Sequence, residues 1–313
     1  MSDRVERPLA TFVLLAYNQE RYIRQAIEAA LEQDYSPLEI ILSDDCSTDS
    51  TFDHMKSLVG EYSGPHNVVL NRNPVNSGLA KHFNELVLRA EGEVVVVAAG
   101  DDVSLPCRVS KTMDLFCQHP DASVICFTDS VIDAGGQTIS PSGGVSQSGN
   151  RVVSLDDYIA GRVRHLSGAS RGFRKRVYEV FGDLNESCPT EDTPYLLRSL
   201  MIGSGVISSE PGIFYRRHSA SLSASASLHA MSVDEICRQH RLDLERASSQ
   251  GFVDQEQVVK IQAWIDKTFR RRSLASKLAK SKNKWRVFTG SVLPSSDLTL
   301  REKLSLLKSI LPK

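Results

Sequence analysis

Two apolar runs in this chain end on paired acids: "EIILSDD" closes on Asp44 and Asp45, and "VVVVAAGDD" on Asp101 and Asp102. A third acidic pair, Glu191 and Asp192, stands in "TEDTPYLLR". Adjacent carboxylates repel, and holding them beside an apolar strand costs desolvation unless a cation or hydrogen-bond donors compensate. A hard divalent ion, held by one or two carboxylates and by substrate phosphates, relieves that cost. The simpler reading makes each pair a solvated turn that caps the next helix, since Asp is a favoured N-cap. One pair alone does not separate the two; two pairs at corresponding strand ends favour a cleft for a nucleoside diphosphate with Mg²⁺ or Mn²⁺. For "TEDTP" the local reading is a helix start, with Thr190 as cap, both acids complementing the dipole and Pro194 in the first turn. Neighbouring residues at a helix start point apart, so only one of Glu191 and Asp192 is expected to face a ligand.

The elements that must position these groups follow from periodicity. "TFVLLAYN", "LEIILSDD", "NVVLNR" and "EVVVVAAGDD" read as strands, three of them continuously apolar, as strands covered on both faces must be. Between them Ile23, Ala26, Ile27, Ala30 and Leu31, then Phe52, Met55, Leu58 and Val59, then Leu79, Phe83, Leu86 and Val87 recur at helical spacing. Alternation at this spacing implies a mostly parallel sheet with right-handed crossovers, an α/β architecture. In such sheets ligands sit outside the carboxyl ends of the strands, which brings the acid pairs and "AYN" (Ala16, Tyr17, Asn18) to one rim. Asn18 also suits a cap for the following helix. Beyond Pro106 the pattern predicts a helix at "RVSKTMDLFCQ", a hairpin turning at Ala134–Gly136, three short helices, and a strand pair in "GVISSEPGIFYRRH". "SGASRG", Ser167–Gly172, is small enough for close backbone approach to a sugar, or is an ordinary turn. The stretches Pro141–Asn150 and Ser219–Ser227 read as flexible loops.

Two classes are excluded by what is missing: no GxGxxG opens a helix after the first strand, and GxxxxGK[ST] does not occur. The six cysteines are scattered without a CxxC pair, which suits reduced thiols rather than a disulfide framework or zinc site. No leader and no run of the ~18 apolar residues needed to span a bilayer is seen, so a soluble cytoplasmic protein is expected. The net charge of −1 hides an asymmetry. Trp264–Lys313 carries thirteen Lys or Arg against three Asp or Glu, a net +10, which leaves −11 on the preceding residues.

Taken together, "LLAYNQERYIRQAIEAALEQDY", "IILSDDCSTDST", "NPVNSGLAKHFNELVLRAEGEVVVVAAGDD", "SGASRGFRK", "TEDTPYLLR" and "YRRHSASLS" resemble an inverting, nucleotide-sugar-dependent glycosyltransferase of family 2, with the GT-A fold. The resemblance covers about residues 9–224, in family order. It implies a GT-A domain over residues 1–224, with a nucleotide-binding half to about 105 and an acceptor-binding half from 106, followed by a helical, basic region at 225–313. It further implies Asp192 as catalytic base. Asp102, with Asp101 and His218, is the expected metal set for Mn²⁺ or Mg²⁺. The nucleotide side would comprise Ala16, Tyr17, Asn18, Asp44, Asp45, Asn76, Gly78, Lys81 and Asp101. Glu191, Arg216 and Arg217 are secondary candidates, the two arginines for the diphosphate. The QxxRW motif of processive members is missing, which favours one sugar per binding event. A sugar nucleotidyltransferase and a catalytically inactive sugar-nucleotide binder remain as alternatives; the former lacks its Gly-rich loop after the first strand, where "AYNQERY" stands.

The expected partners are a nucleotide-sugar donor and a glycan or lipid-linked acceptor. The basic C-terminal region, with Trp264, Phe269, Trp285 and Phe288, reads as an interfacial helix attracted to anionic lipid. Self-association, docking on the acidic body, and a solvated appendage are the other readings. No nucleic-acid-binding module is present.

Overall fold

A computed structural model describes residues 7–140, 149–163, 166–219, 221, 231–308 and 310. Most of the Pro141–Asn150 and Ser219–Ser227 loops, and the expected boundary at 224, therefore lie outside the described residues.

Strands β1 (Ala10–Ala16), β2 (Leu38–Asp44), β3 (Asn67–Arg72) and β4 (Val94–Ala99) lie parallel in the order β3-β2-β1-β4. Their register pairs Ala16 with Asp44 and Leu15 with Ala99, so the strand ends are flush and the residues after them share one rim. The second half of the sheet is mixed, not parallel. β9 (Gly172–Arg174) runs antiparallel between β4 and β6 (Ala122–Ile132), and β10 (Ser204–Arg216) is parallel to β6. Two reversals restore the original direction, so β10 delivers His218 to the rim that carries Asp101. Gly172 makes the insertion of β9 feasible: a Cβ there would lie 2.7 Å from the Thr112 methyl and 3.3 Å from Val96. Short strands complete the sheet: β5 (Val103–Ser104) and β8 (Arg151–Val153) pair with β10, and β7 (Thr138–Ser140) forms the expected hairpin with β6.

The expected strand pair at "GVISSEPGIFYRRH" is one 13-residue strand, β10, with register shifts around Pro211. Pro211 has no N–H to give the ladder, and the irregularity absorbs what reads in sequence as a turn. Gly212 there lies against the Phe127 ring, 2.6 Å from where a Cβ would stand.

Alternate residues of β1 feed two cores. Phe12 and Leu14 face α1 (Ile23–Leu31), α2 (Thr51–Glu61) and α4 (Arg108–Gln118), while Val13 faces α3 (Leu79–Arg89), α6 (Arg176–Phe181) and α7 (Asp192–Ile202). The second core continues without a break into the C-terminal region. Ile236 and Leu244 of α8 (Val233–Ser249) and Ile261 and Ile265 of α9 (Gln255–Lys280) pack with Phe173, Tyr195 and Leu197. A fully buried ion pair, Arg198–Asp243 at 2.9 Å, ties α7 to α8. α5 (Leu155–Ile159), with a Ser154–Asp157 capping box, lies against α9. Beyond it, α10 (Lys284–Val287), a π turn at Phe288–Val292 and α11 (Leu300–Lys308) close a small separate core of Leu278, Phe288, Val292 and Leu298. Among the described residues no helix is long and apolar enough to cross a membrane, and all six cysteines are free.

Candidate active site

The loops after β1, β2 and β3 are stitched together by short polar side chains. Asn18, at φ +50°, does not cap α1; its backbone N–H donates to Ser47 Oγ at 2.8 Å and its Oδ1 accepts from the Thr48 N–H at 2.9 Å. Asp49 plays the capping part for α2, accepting from the Thr51 N–H at 3.0 Å, and also receives the Glu20 N–H at 3.1 Å. The first acid pair divides its work. Asp44 is fully buried, accepts from the Ser47 N–H at 3.0 Å and pairs with Arg72 at 3.2 Å; it holds the turn and does not line the cleft. Asp45 lines the cleft. Its Oδ1 accepts from Asn73, the Ser77 hydroxyl and the Ser77 N–H, and its Oδ2 from the Gly78 N–H at 2.9 Å. Burial pushes the Asp45 carboxyl up, but these donors outweigh it and hold it below the ordinary carboxylate range. Oδ2 with a single donor keeps a lone pair for a ligand N–H. Tyr17, 45% exposed, lines the same cleft, as do Asn76 and Gly78. Lys81 points elsewhere, to Glu186 at 3.3 Å on the surface.

The second acid pair also splits. Asp102 is buried and its Oδ1 accepts the Arg216 N–H at 2.8 Å. Burial, then the neighbouring Asp101 charge, push its carboxyl well above the usual range. Asp101 takes the outward position and meets His218 Nε2 at 2.9 Å, while the imidazole packs against Tyr22 in a tilted arrangement with centroids 4.7 Å apart. Two neighbouring like charges are thus tolerated because one, Asp102, is drawn inward toward neutrality and the other, Asp101, is paired with His218. Arg216 is a brace, not a cleft cation: it donates to the Asp101 carbonyl at 2.8 Å and to Gln25 at 2.7 Å, under the Tyr22 ring. Arg217 is exposed outside the cleft. Arg108, fully buried and with its guanidinium pKa pushed down to about 10 by burial, ties Ser104 to the Ala169 and Arg171 carbonyls at 2.8, 3.1 and 3.2 Å.

Asp192 opens α7. Glu191, not Thr190, is its N-cap residue, and it makes no side-chain capping bond. Thr190 and Thr193 donate their hydroxyls to Asp192 Oδ1, and Arg171 donates to the Asp192 carbonyl. Oδ2 lies against Gly168, where a Cβ would stand only 2.6 Å away; this is the close approach that "SGASRG" provides. Burial pushes Asp192 up, but the Arg171 guanidinium and the two hydroxyls overcome it and keep the carboxylate ionised. For Glu191 the lowering effects of Arg171 and of nearby backbone N–H groups do not suffice. Burial, and then the Asp192 charge, raise it to about 7. Both acids line the cleft, contrary to the expectation that only one would.

These groups open into one cavity of about 1270 Å³, whose walls include Ala16, Tyr17, Asn18, Asp45, Asp101, Asp102, Glu191, Asp192 and His218. Arg171 and Arg108 were not singled out in the sequence because a buried arginine looks like any other basic residue in a list. The contribution of α8 and α9 to the cavity, through Val233, Ile236, Arg272, Ala275 and Ser276, with Met231 just before α8, carries no motif at all.

Asp101 and His218 make a pair, not a cage: among the described residues no three His, Cys, Asp or Glu side chains converge to enclose a metal. An ion that draws most of its ligands from substrate phosphates and water needs only one or two protein groups, so the pair fits a divalent cation shared with a diphosphate.

The chain is similar in sequence and in fold to known proteins. EpsE of Bacillus subtilis, named as a glycosyltransferase, is 33% identical over 118 residues, 38% of this chain and 42% of its own length. WcaA of Escherichia coli K12, named for colanic acid biosynthesis, is 31% identical over 103 residues, 33% of this chain and 36% of its own. The chain thus matches well under half the length of these curated relatives. The fold is similar to that of residues 1–349 of S. aureus TarS solved with UDP-GlcNAc, at TM-score 0.61 and 17% identity over 96% of this chain and 79% of that one. The profile "Glycosyl transferase family 2" matches residues 11–182, more than half of the chain and the stretch from β1 through α6 that builds the Asp45 and Asp101 walls, and the chain belongs to that family.

Proposed function

We propose that this protein is an inverting glycosyltransferase that moves a single sugar from a nucleoside diphosphate sugar, a UDP-sugar first, to a glycan or lipid-linked glycan acceptor in cell-surface polysaccharide synthesis. One observation carries the reading: Asp45, the Asp101–His218 pair and Asp192 share a cavity. Asp45 Oδ2 and the Tyr17 ring suit a nucleobase, by accepting its N–H and covering its face. Asp101 and His218 would hold Mn²⁺ or Mg²⁺, which when bound supplies neutralisation of charge on the departing diphosphate. Asp192 Oδ2 accepts the proton of the acceptor hydroxyl on the opposite face. This division of labour parallels the opposed carboxylates of an inverting glycosidase. Arg171 keeps Asp192 ionised, and Gly168 leaves the approach to Oδ2 open.

The test is thermal unfolding of the full chain with UDP-, GDP- and dTDP-sugars, with and without Mn²⁺. A bound donor raises the midpoint. Asp101→Asn and His218→Ala should erase the Mn²⁺-dependent increment, and Asp102→Asn should retain it. No shift with any nucleotide sinks the proposal.

A peripheral membrane contact is the second element of this reading. Trp285, Leu293, Leu300 and Leu304 are each at least half exposed, beside exposed Lys280, Lys282, Lys284 and Arg286. That combination suits an anionic lipid surface near a lipid-linked acceptor.

A further inference from the structure

The sequence "RRRS" on α9 places three arginines in a row, and the structure treats them differently. Arg270 pairs with Asp297 and Arg271 with Glu302, each at 2.8 Å. Arg272 is half-buried, has no carboxylate partner among the described residues, and lines the cavity together with Ala275 and Ser276. Residues i, i+3 and i+4 share a helix face, so α9 presents one coherent strip to the cleft.

The charge balance of the cavity makes this guanidinium conspicuous. Seven lining residues are Asp or Glu (Glu20, Asp45, Asp49, Asp101, Asp102, Glu191, Asp192) against two arginines, Arg21 and Arg272. Arg21 is exposed and lies over Tyr22, on the Asp101–His218 side. Arg272 neighbours Tyr158 and His240, which flank Trp264 at 5.2 and 5.6 Å. His240 lies near the Thr193 backbone, next to Asp192, and burial with the Arg272 charge keeps its ring neutral. Arg272 therefore belongs to the base side of the cavity, with uncharged neighbours and an unneutralised charge.

We propose that Arg272 forms an anion subsite on the acceptor side of the cavity, so that the favoured acceptor carries a phosphate or carboxylate near the hydroxyl presented to Asp192. A guanidinium recognises either oxyanion through paired N–H donors. The assignment rests on the transferase reading for the word acceptor, but the anion site itself does not.

Isothermal titration of the full chain, first alone and then saturated with UDP and Mn²⁺, would use glucose 1-phosphate, glucuronate and glucose as probes. At least tenfold preference for one or both anions over glucose is expected. Arg272→Ala should remove that preference, leave UDP affinity within twofold and leave the unfolding midpoint in place; Arg272→Lys should restore part of it. A phosphate-only response assigns a phosphorylated acceptor, and a glucuronate-only response an acidic sugar. Equal binding of glucose, no anion binding to the wild type, or an equal loss of UDP affinity in Arg272→Ala overturns the proposal. Failure of the wild type to bind any nucleotide would instead remove the transferase reading, while the anion titration of the free protein still reports on Arg272.

Discussion

Replacing Asp192 by Asn removes one charge and one basic oxygen while nearly conserving shape. The Asn oxygen still accepts from Thr190 and Thr193, and the backbone carbonyl that receives Arg171 is untouched. The lost group is Oδ2, the oxygen that faces Gly168 and the cavity. A positioned general base contributes about 10²–10⁴ in rate, or roughly 2.7–5.4 kcal/mol at 1.36 kcal/mol per tenfold. Turnover, followed as nucleoside diphosphate release with acceptor present, should fall by that factor, while donor affinity by titration stays within about twofold. The pH profile separates Asp192 from its neighbour. Asp192 is held below the ordinary carboxylate range and is ionised throughout pH 5–9, so the acid limb of kcat/KM should lie below about pH 4. Glu191, raised to about 7, would give an acid limb near neutrality if it were the base. The stability consequence has a definite sign. Asp192 is depressed in the folded chain, so its contribution is present above the unfolded value near 4 and is lost as pH falls through the folded one. The Asn variant should therefore be less stable than wild type at pH 7, with the gap closing below about pH 4. Turnover within threefold of wild type, or an acid limb near 7 that vanishes in Glu191→Gln, would refute the assignment.

Asp243→Ala should leave Arg198 buried without its counter-charge, destabilising the chain by about 3–5 kcal/mol in urea unfolding. A single transition would show that α8 folds with the sheet; two would separate them. Gly168→Ala drives a methyl group into Asp192 and should reduce turnover by roughly 10²-fold with donor affinity largely kept, since small displacements of a catalytic group are costly. Changing Lys280, Lys282, Lys284 and Arg286 to Gln should weaken binding to anionic vesicles by about 4 kcal/mol, at about 1 kcal/mol per basic residue near the surface; equal pelleting of variant and wild type would remove the membrane contact.

The presence and parallel direction of the first four strands, the helices between them and the rim that collects Asp45 and Asp101 were legible in the sequence, while Asp192 came from the family resemblance. Those features are local: continuous apolar runs, 3.6-residue periodicity and turn residues report on their own neighbourhoods. Within each acid pair the sequence was silent, because Asp44 and Asp45 differ only in which one meets Arg72 and which meets Ser77 and Gly78. The inward turn of Asp102 depends on the Arg216 N–H, 114 residues away, and the ionised state of Asp192 on Arg171. The mixed half of the sheet rests on the three-residue strand β9, too short to show a pattern. Most of all, the closing of the cavity by α8 and α9 was decided by tertiary structure alone: a helix shows in its sequence which stripe is apolar, but not which cleft that stripe will wall.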